Sequence, residues 1–144
     1  MFIRCSHIVM VAAVILCMGC RKENPLGFSS DECARIIEKI RTDRRLTEKD
    51  YMAMLSQLNG MLEFACVKAE KTIDSGYRSE DVRDRLEMDS VFCRTVEQGA
   101  IMDSALVEYL NAPYSNPKLK KEYRDILSKY TRRATKSGLF VKNN

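Results

Sequence analysis

The chain holds 144 residues, 31% of them charged, with a formal net charge of +4, six cysteines, one histidine and no tryptophan. That length suffices for one domain with a real core and is too short for two. The single imidazole, His7, lies at the very start. The body of the chain therefore cannot build Ser-His-Asp or Cys-His nucleophile systems, or the zinc and iron sites that use imidazole ligands.

The first twenty residues, MFIRCSHIVMVAAVILCMGC, fall into three parts: a polar start with Arg4 and His7, an apolar run from Ile8 to Met18, and Gly19 before Cys20. A charged start, a short apolar stretch and a small-residue exit make up a secretory signal peptide. The run is too short for a permanent membrane helix, which needs about 20 apolar residues. Arg21, Lys22, Glu23, Asn24 and Pro25 follow at once, which favours export over retention.

Cys17-Met18-Gly19-Cys20 resembles the lipobox of bacterial lipoproteins, with Cys17 where that family usually carries Leu. The resemblance covers only these 20 residues. It implies a signal peptide over 1–19, cleavage before Cys20, diacylglycerol on the Cys20 thiol, and acylation of the new amino group. It further implies a lipid-anchored protein of the bacterial cell envelope. Arg21 stands where Asp would retain such a protein at the inner membrane, so the outer membrane is the expected destination. Plain secretion or an uncleaved anchor are the alternatives.

Residues 21–27 (RKENPLG) are polar, carry Pro and Gly and lack periodicity, so residues 20–28 read as a lipidated Cys and tether. The expected domain is 29–144. Ser29-Ser30-Asp31-Glu32 matches a capping box, with Phe28 and Cys33 as its hydrophobic staple. Cys33, Ile36, Ile37 and Ile40 then share one face of a short helix.

Thr47-Glu48-Lys49-Asp50 is a looser box opening a second helix over about 48–74. Its stripe runs from Tyr51 through Met54, Leu55, Leu58, Met61, Leu62, Ala65, Cys66 and Ala69 to Ile73, and Gly76 suits its C-terminal cap. Gly60 is its weakest point.

A third helix is expected from an N-cap at Ser79 to Asn111-Ala112-Pro113. It carries two overlapping stripes: Val82, Leu86, Cys93, Val96, Ala100, and Met88, Phe92, Met102, Leu106, Tyr109, Leu110. Either it touches neighbours on two sides, or its phase shifts near Asp89-Ser90 or Gly99; one long helix is the favoured reading. Asn116-Pro117 opens the fourth, with Leu119, Tyr123, Ile126, Leu127, Tyr130 and Ala134 on its stripe and Gly138 at its end. The fold class is all-α: a compact bundle of three long helices plus one short N-terminal helix.

Candidate chemistry is sparse. Glycine-rich phosphate loops and calcium loops are missing, and Cys33, Cys66 and Cys93 are too far apart in sequence for paired thiolate zinc spacing. Carboxylate pairs such as Asp81-Asp84, Asp84-Glu87 and Glu97-Glu108 have Arg or Lys close by and read as solvated, charge-paired faces. No enzymatic activity, cofactor or metal is expected. Three thiols after Cys20 argue against a disulfide framework. Small buried apolar roles are the first reading for them, and a Cys66–Cys93 bond, marginal in axial register, is the second.

Charge is the remaining signal. Residues 117–144 carry nine Lys and Arg against Glu122 and Asp125, a net of +7, whereas residues 20–116 net −4. The plain reading is a solvated basic face opposite an acidic one. The sharper one is a contact surface of Lys120, Lys121, Arg124, Arg132 and Arg133 for anionic lipid or an acidic protein. Together these readings predict a membrane-anchored envelope lipoprotein acting as a non-catalytic helical binding or adaptor protein, its partner an unidentified envelope protein. The alternative is an envelope structural protein whose basic C-terminal helix contacts anionic lipid. Neither nucleic acid nor a small-molecule substrate is expected as a partner.

Overall fold

A computed structural model describes residues 28–42 and 44–140. The expectations for the signal peptide, for Cys20 and for the tether lie outside these residues. Among the described residues the chain forms five α-helices and no strand: α1 (Ser30–Arg41), α2 (Glu48–Asp74), α3 (Ser79–Leu86), α4 (Ser90–Leu110) and α5 (Pro117–Lys136). None of them is long and apolar enough to cross a membrane.

Local chemistry sets most boundaries. Thr47 and Asp50 form the complete reciprocal box: the Thr47 amide donates to the Asp50 carboxylate at 2.8 Å, and the Asp50 amide to the Thr47 hydroxyl at 3.3 Å. The better consensus, Ser29 with Glu32, forms only by half. Its hydroxyl accepts from the Glu32 amide, but the Ser29 amide is taken by Gln57 of α2 at 2.7 Å and the Glu32 carboxylate by Arg35. A tertiary partner has displaced the local one.

Asn116 accepts from the Lys118 amide, with Pro117 in the first turn of α5. Gly76 closes α2 at φ 104°, a left-handed conformation that favours glycine. Helix α2 passes through Gly60 unbroken.

The expected long third helix is two. Glu87, Met88 and Asp89 interrupt it, and Asp89 caps α4 by accepting from the Val91 and Phe92 amides at 2.9 and 3.1 Å. Ser79 is the first residue of α3 and not its N-cap; Arg78 holds that place without a side-chain cap bond. The break accounts for part of the two stripes, and Met88, expected on the second, lies exposed within it. Val82 and Leu86 of α3 and Phe92 of α4 join Ala69 of α2 in one cluster, while Met102, Leu106 and Leu110 enter the main core with Met54, Leu55, Ile36 and Cys33.

The longest helix, α2, is the axis on which the others pack. Helix α4 runs antiparallel to it. Tyr51 and Tyr109 stack with ring centroids 3.9 Å apart, Gly99 stands against Leu58 and Met61, and Lys68 pairs with Asp89 at 2.8 Å. Helix α5 runs parallel to α2. Asn116 donates to Glu48 and Tyr130 to Glu63, pairs separated by 68 and 67 residues. Helix α1 packs on both α2 and α4. Helices α4 and α5 share a support but hardly pack on each other.

Candidate functional site

Because α4 and α5 diverge over α2, an apolar groove of about 640 Å³ opens between them. Leu55, Leu58, Met61, Leu62, Ala65 and Cys66 of α2 form its floor; Phe92, Cys93, Val96, Gly99 and Ala100 of α4 form one wall; Ile126, Leu127 and Ala134 of α5 form the other. Thus Cys93, Val96 and Ala100, three members of the first stripe, face an open space where core would be expected. Val96 on one lip and Leu127 on the other are 49% and 41% exposed, more than core packing would leave.

Two further features line the groove, one toward each end of α5. At one, Tyr123 of α5 donates its phenolic hydrogen to Asp103 of α4 at 2.7 Å. Burial, with the Asp103 carboxylate beside it, pushes the Tyr123 phenol up to about 12, so the donor keeps its proton at neutral pH. At the other end, Leu139 and Phe140 turn back after α5, near Arg83 and Glu87 of α3. Gly138, at φ 82°, makes that turn, and its α-carbon approaches the Ser79 backbone so closely that a β-carbon would collide with the Ser79 carbonyl.

Two polar groups of the α4 wall are already engaged. The Thr95 hydroxyl donates to the Val91 carbonyl at 2.8 Å and the Cys93 thiol to the Glu87 carbonyl at 3.3 Å. The lining charges are Arg83, Glu87, Glu97 and Asp103, and Arg83 pairs with Glu87 at 3.5 Å. The rim is therefore acidic.

The candidate thiols are free. Cys66 is fully buried and clusters with Tyr130 and Ala134 toward α5, whereas Cys93 turns to the Glu87 carbonyl at the helix break. Both line the groove, yet their side chains serve different neighbours, and the Cys66–Cys93 bond is not formed. Burial pushes the Cys66 thiol up, against the lowering influence of Arg133. Burial likewise pushes the Cys33 thiol up to about 11, and it donates to Gln57 at 3.2 Å. Both are protonated, unreactive thiols at neutral pH.

The basic residues of α5 divide. Lys120, Lys121, Arg124 and Arg132 are exposed, with Lys121 bonded to Asp125 at 2.7 Å. Arg133 is turned inward: it donates to both oxygens of Glu70, at 3.0 and 2.7 Å, and to Glu63 at 3.0 Å, fastening α5 to α2. Arg133 thus joins two helices where the sequence placed it on a contact face.

Among the described residues no group of three or more His, Cys, Asp or Glu side chains is placed to hold a metal ion. A sequence reading had no means to find the groove. Its only trace was the pair of overlapping stripes, which gave one helix more apolar faces than it had assigned neighbours. No family model matches the chain, and neither a curated protein nor a solved structure shows significant similarity to it.

Proposed function

We propose that this chain is a bacterial envelope lipoprotein, held to the membrane through Cys20, that works as a non-catalytic binding or adaptor protein. The observation that supports this reading is the groove between α4 and α5: an apolar surface with exposed lips, in which the Thr95 hydroxyl, the Cys93 thiol and the Tyr123 phenol are already hydrogen-bonded. Such a surface binds an apolar group well. The partner is an envelope component that presents such a group to the groove.

The test has two halves. Replacing Cys20 by Ser should release the chain from membranes or leave an unprocessed precursor; mass spectrometry of an unmodified Cys20 in the mature chain would overturn the anchor. Crosslinking from a photoreactive residue at Val96 in intact cells should return one dominant adduct. Adducts no different from those at Ala34, on the exposed face of α1, would defeat the binding role.

A second reading has its own support. Lys120, Arg124 and Arg132 are exposed on one helix whose segment is strongly basic. In that reading the helix contacts anionic lipid, and reversing these charges should weaken vesicle binding of the unlipidated chain at low salt.

A further inference from the structure

The two lips of the groove carry opposite charge, and that asymmetry specifies a partner more closely than the apolar floor does. We infer that the groove face joins two copies of this chain in a symmetric pair, with the α4 lip of each copy against the α5 lip of the other. This rests on the binding-protein reading above and names its partner.

The α4 lip is an apolar seam with acids along one flank. Cys93, Val96, Ala100 and Val107 succeed one another after three, four and seven residues, so they lie in one line along the helix. Val96 and Val107 are 49% and 36% exposed. Glu97 follows Val96 and Glu108 follows Val107, which sets both exposed carboxylates on the same side of the seam.

The α5 lip has the opposite sign. Lys120 and Arg124 stand seven and three residues before Leu127, so two exposed cations border the exposed leucine on its own face of the helix. Asp125 does not offset them, being bonded to Lys121 at 2.7 Å.

A partner of one sign cannot satisfy both lips. A basic helix would suit Glu97 and Glu108 but meet Lys120 and Arg124 across the groove, and an anionic surface would do the reverse. What fits is an apolar face with a basic flank on one side and an acidic flank on the other. This chain carries that face itself.

The signs also choose the symmetry. A two-fold axis along the helices lays α4 over the other copy's α5, so acid meets base twice. An axis across the helices lays α4 over α4 and α5 over α5, so like meets like. In the first arrangement the seam of Val96 and Val107 covers a Leu127 lip, and apolar surface that one copy leaves in water is buried by the other.

The experiment uses the full chain, co-expressed in two differently tagged copies, one with a photoreactive residue at Val96. The adduct should carry both tags, and its second peptide should map to α5 around Leu127. Lys120→Glu with Arg124→Glu in both copies should lower that adduct about tenfold or more, and so should Glu97→Lys with Glu108→Lys. All four reversals in one chain swap the signs of the lips and should restore it. Lys121→Glu with Arg132→Glu makes an equal change of charge at exposed positions about 120° or more around α5 from Leu127, and should leave the adduct unaltered.

A doubly tagged adduct that survives either pair of reversals, or fails to return in the four-fold swap, would overturn the inference. Equal sensitivity to the Lys121 and Arg132 pair would do the same, since it marks α5 as a general basic surface. An adduct with a different protein also sinks the symmetric pair but leaves the binding-protein reading intact. If the Val96 adducts match those at Ala34, both fall.

Discussion

The Tyr123 hydroxyl on α5 donates to the Asp103 carboxylate on α4 at 2.7 Å, a cross-link between two helices that otherwise hardly touch. It fixes the separation of the groove walls at that end. Tyr123→Phe should cost about 1–2 kcal/mol, since it removes a hydrogen bond to a charged acceptor in a half-buried place. Ultraviolet titration should show one tyrosine of the parent ionising near 12, above the ordinary 10.0, and the variant should lack it. The stabilisation is present below the ordinary value and lost as pH rises through the folded one. A variant with unchanged stability, or no late-titrating tyrosine in the parent, would contradict this role.

Gly138 should tolerate no side chain. Its φ of 82° is left-handed, and the added β-carbon would meet the Ser79 backbone, which cannot rotate away as a flexible side chain can. Gly138→Ala should destabilise by about 2–4 kcal/mol, combining backbone strain with overpacking. Gly76, also left-handed but with open space around it, should lose about 1–2 kcal/mol on the same change. Chemical denaturation of the two variants provides the comparison, and equal losses would show that the Ser79 contact is not felt.

Asp50 should govern the acid limb of stability. It is 3% exposed. Burial alone would raise its carboxyl, yet the Thr47 amide, Lys39, the Thr47 hydroxyl and Arg35 together hold it well below its ordinary 3.8. A carboxylate lowered in the folded state contributes stability above its unfolded value and loses it as pH falls toward the folded one. Asp50→Asn should therefore cost about 2–3 kcal/mol at neutral pH, through the cap and the charge-assisted bonds, and should flatten the dependence below about 4. If the Asp50→Asn variant keeps the parent's acid transition, Asp50 is excluded as its source.

Arg133 should matter through its fork. It binds Glu70 through two nitrogens and Glu63 through a third, and the Glu70 carboxyl is held down mainly by that bond. Arg133→Lys keeps the charge but not the planar fork, and should recover less than half of the loss seen in Arg133→Ala. The groups are partly exposed, so the alanine loss should be about 1–2 kcal/mol and should shrink with salt. A double-mutant cycle with Glu70→Gln measures it, and a coupling energy of zero would remove Arg133 from the account of how α5 docks.

Much of the fold was legible one segment at a time. Thr47-Asp50 and Asn116-Pro117 announce α2 and α5 because a cap is satisfied within three residues of where it starts. Gly76 and Gly138 mark helix ends for the same local reason. The stripes of Cys33–Ile40 and Tyr51–Ile73 identified faces that the structure largely buries. Where locality failed, a distant partner intervened: Gln57 took the Ser29 amide, leaving that capping box half made.

Residue type and short spacing alone were enough to determine the helical class, the caps that start α2 and α5, and the scarcity of imidazole-based chemistry. Three further features waited on how the helices pack: the break of the third helix at Glu87–Asp89, the turn of Arg133 toward α2, and the groove lined by Cys93, Val96 and Ala100. The reason is geometric. An apolar stripe states that a face seeks cover, but whether it is covered depends on where helices far along the chain come to rest. Here α4 and α5 rest on α2 and hardly on each other.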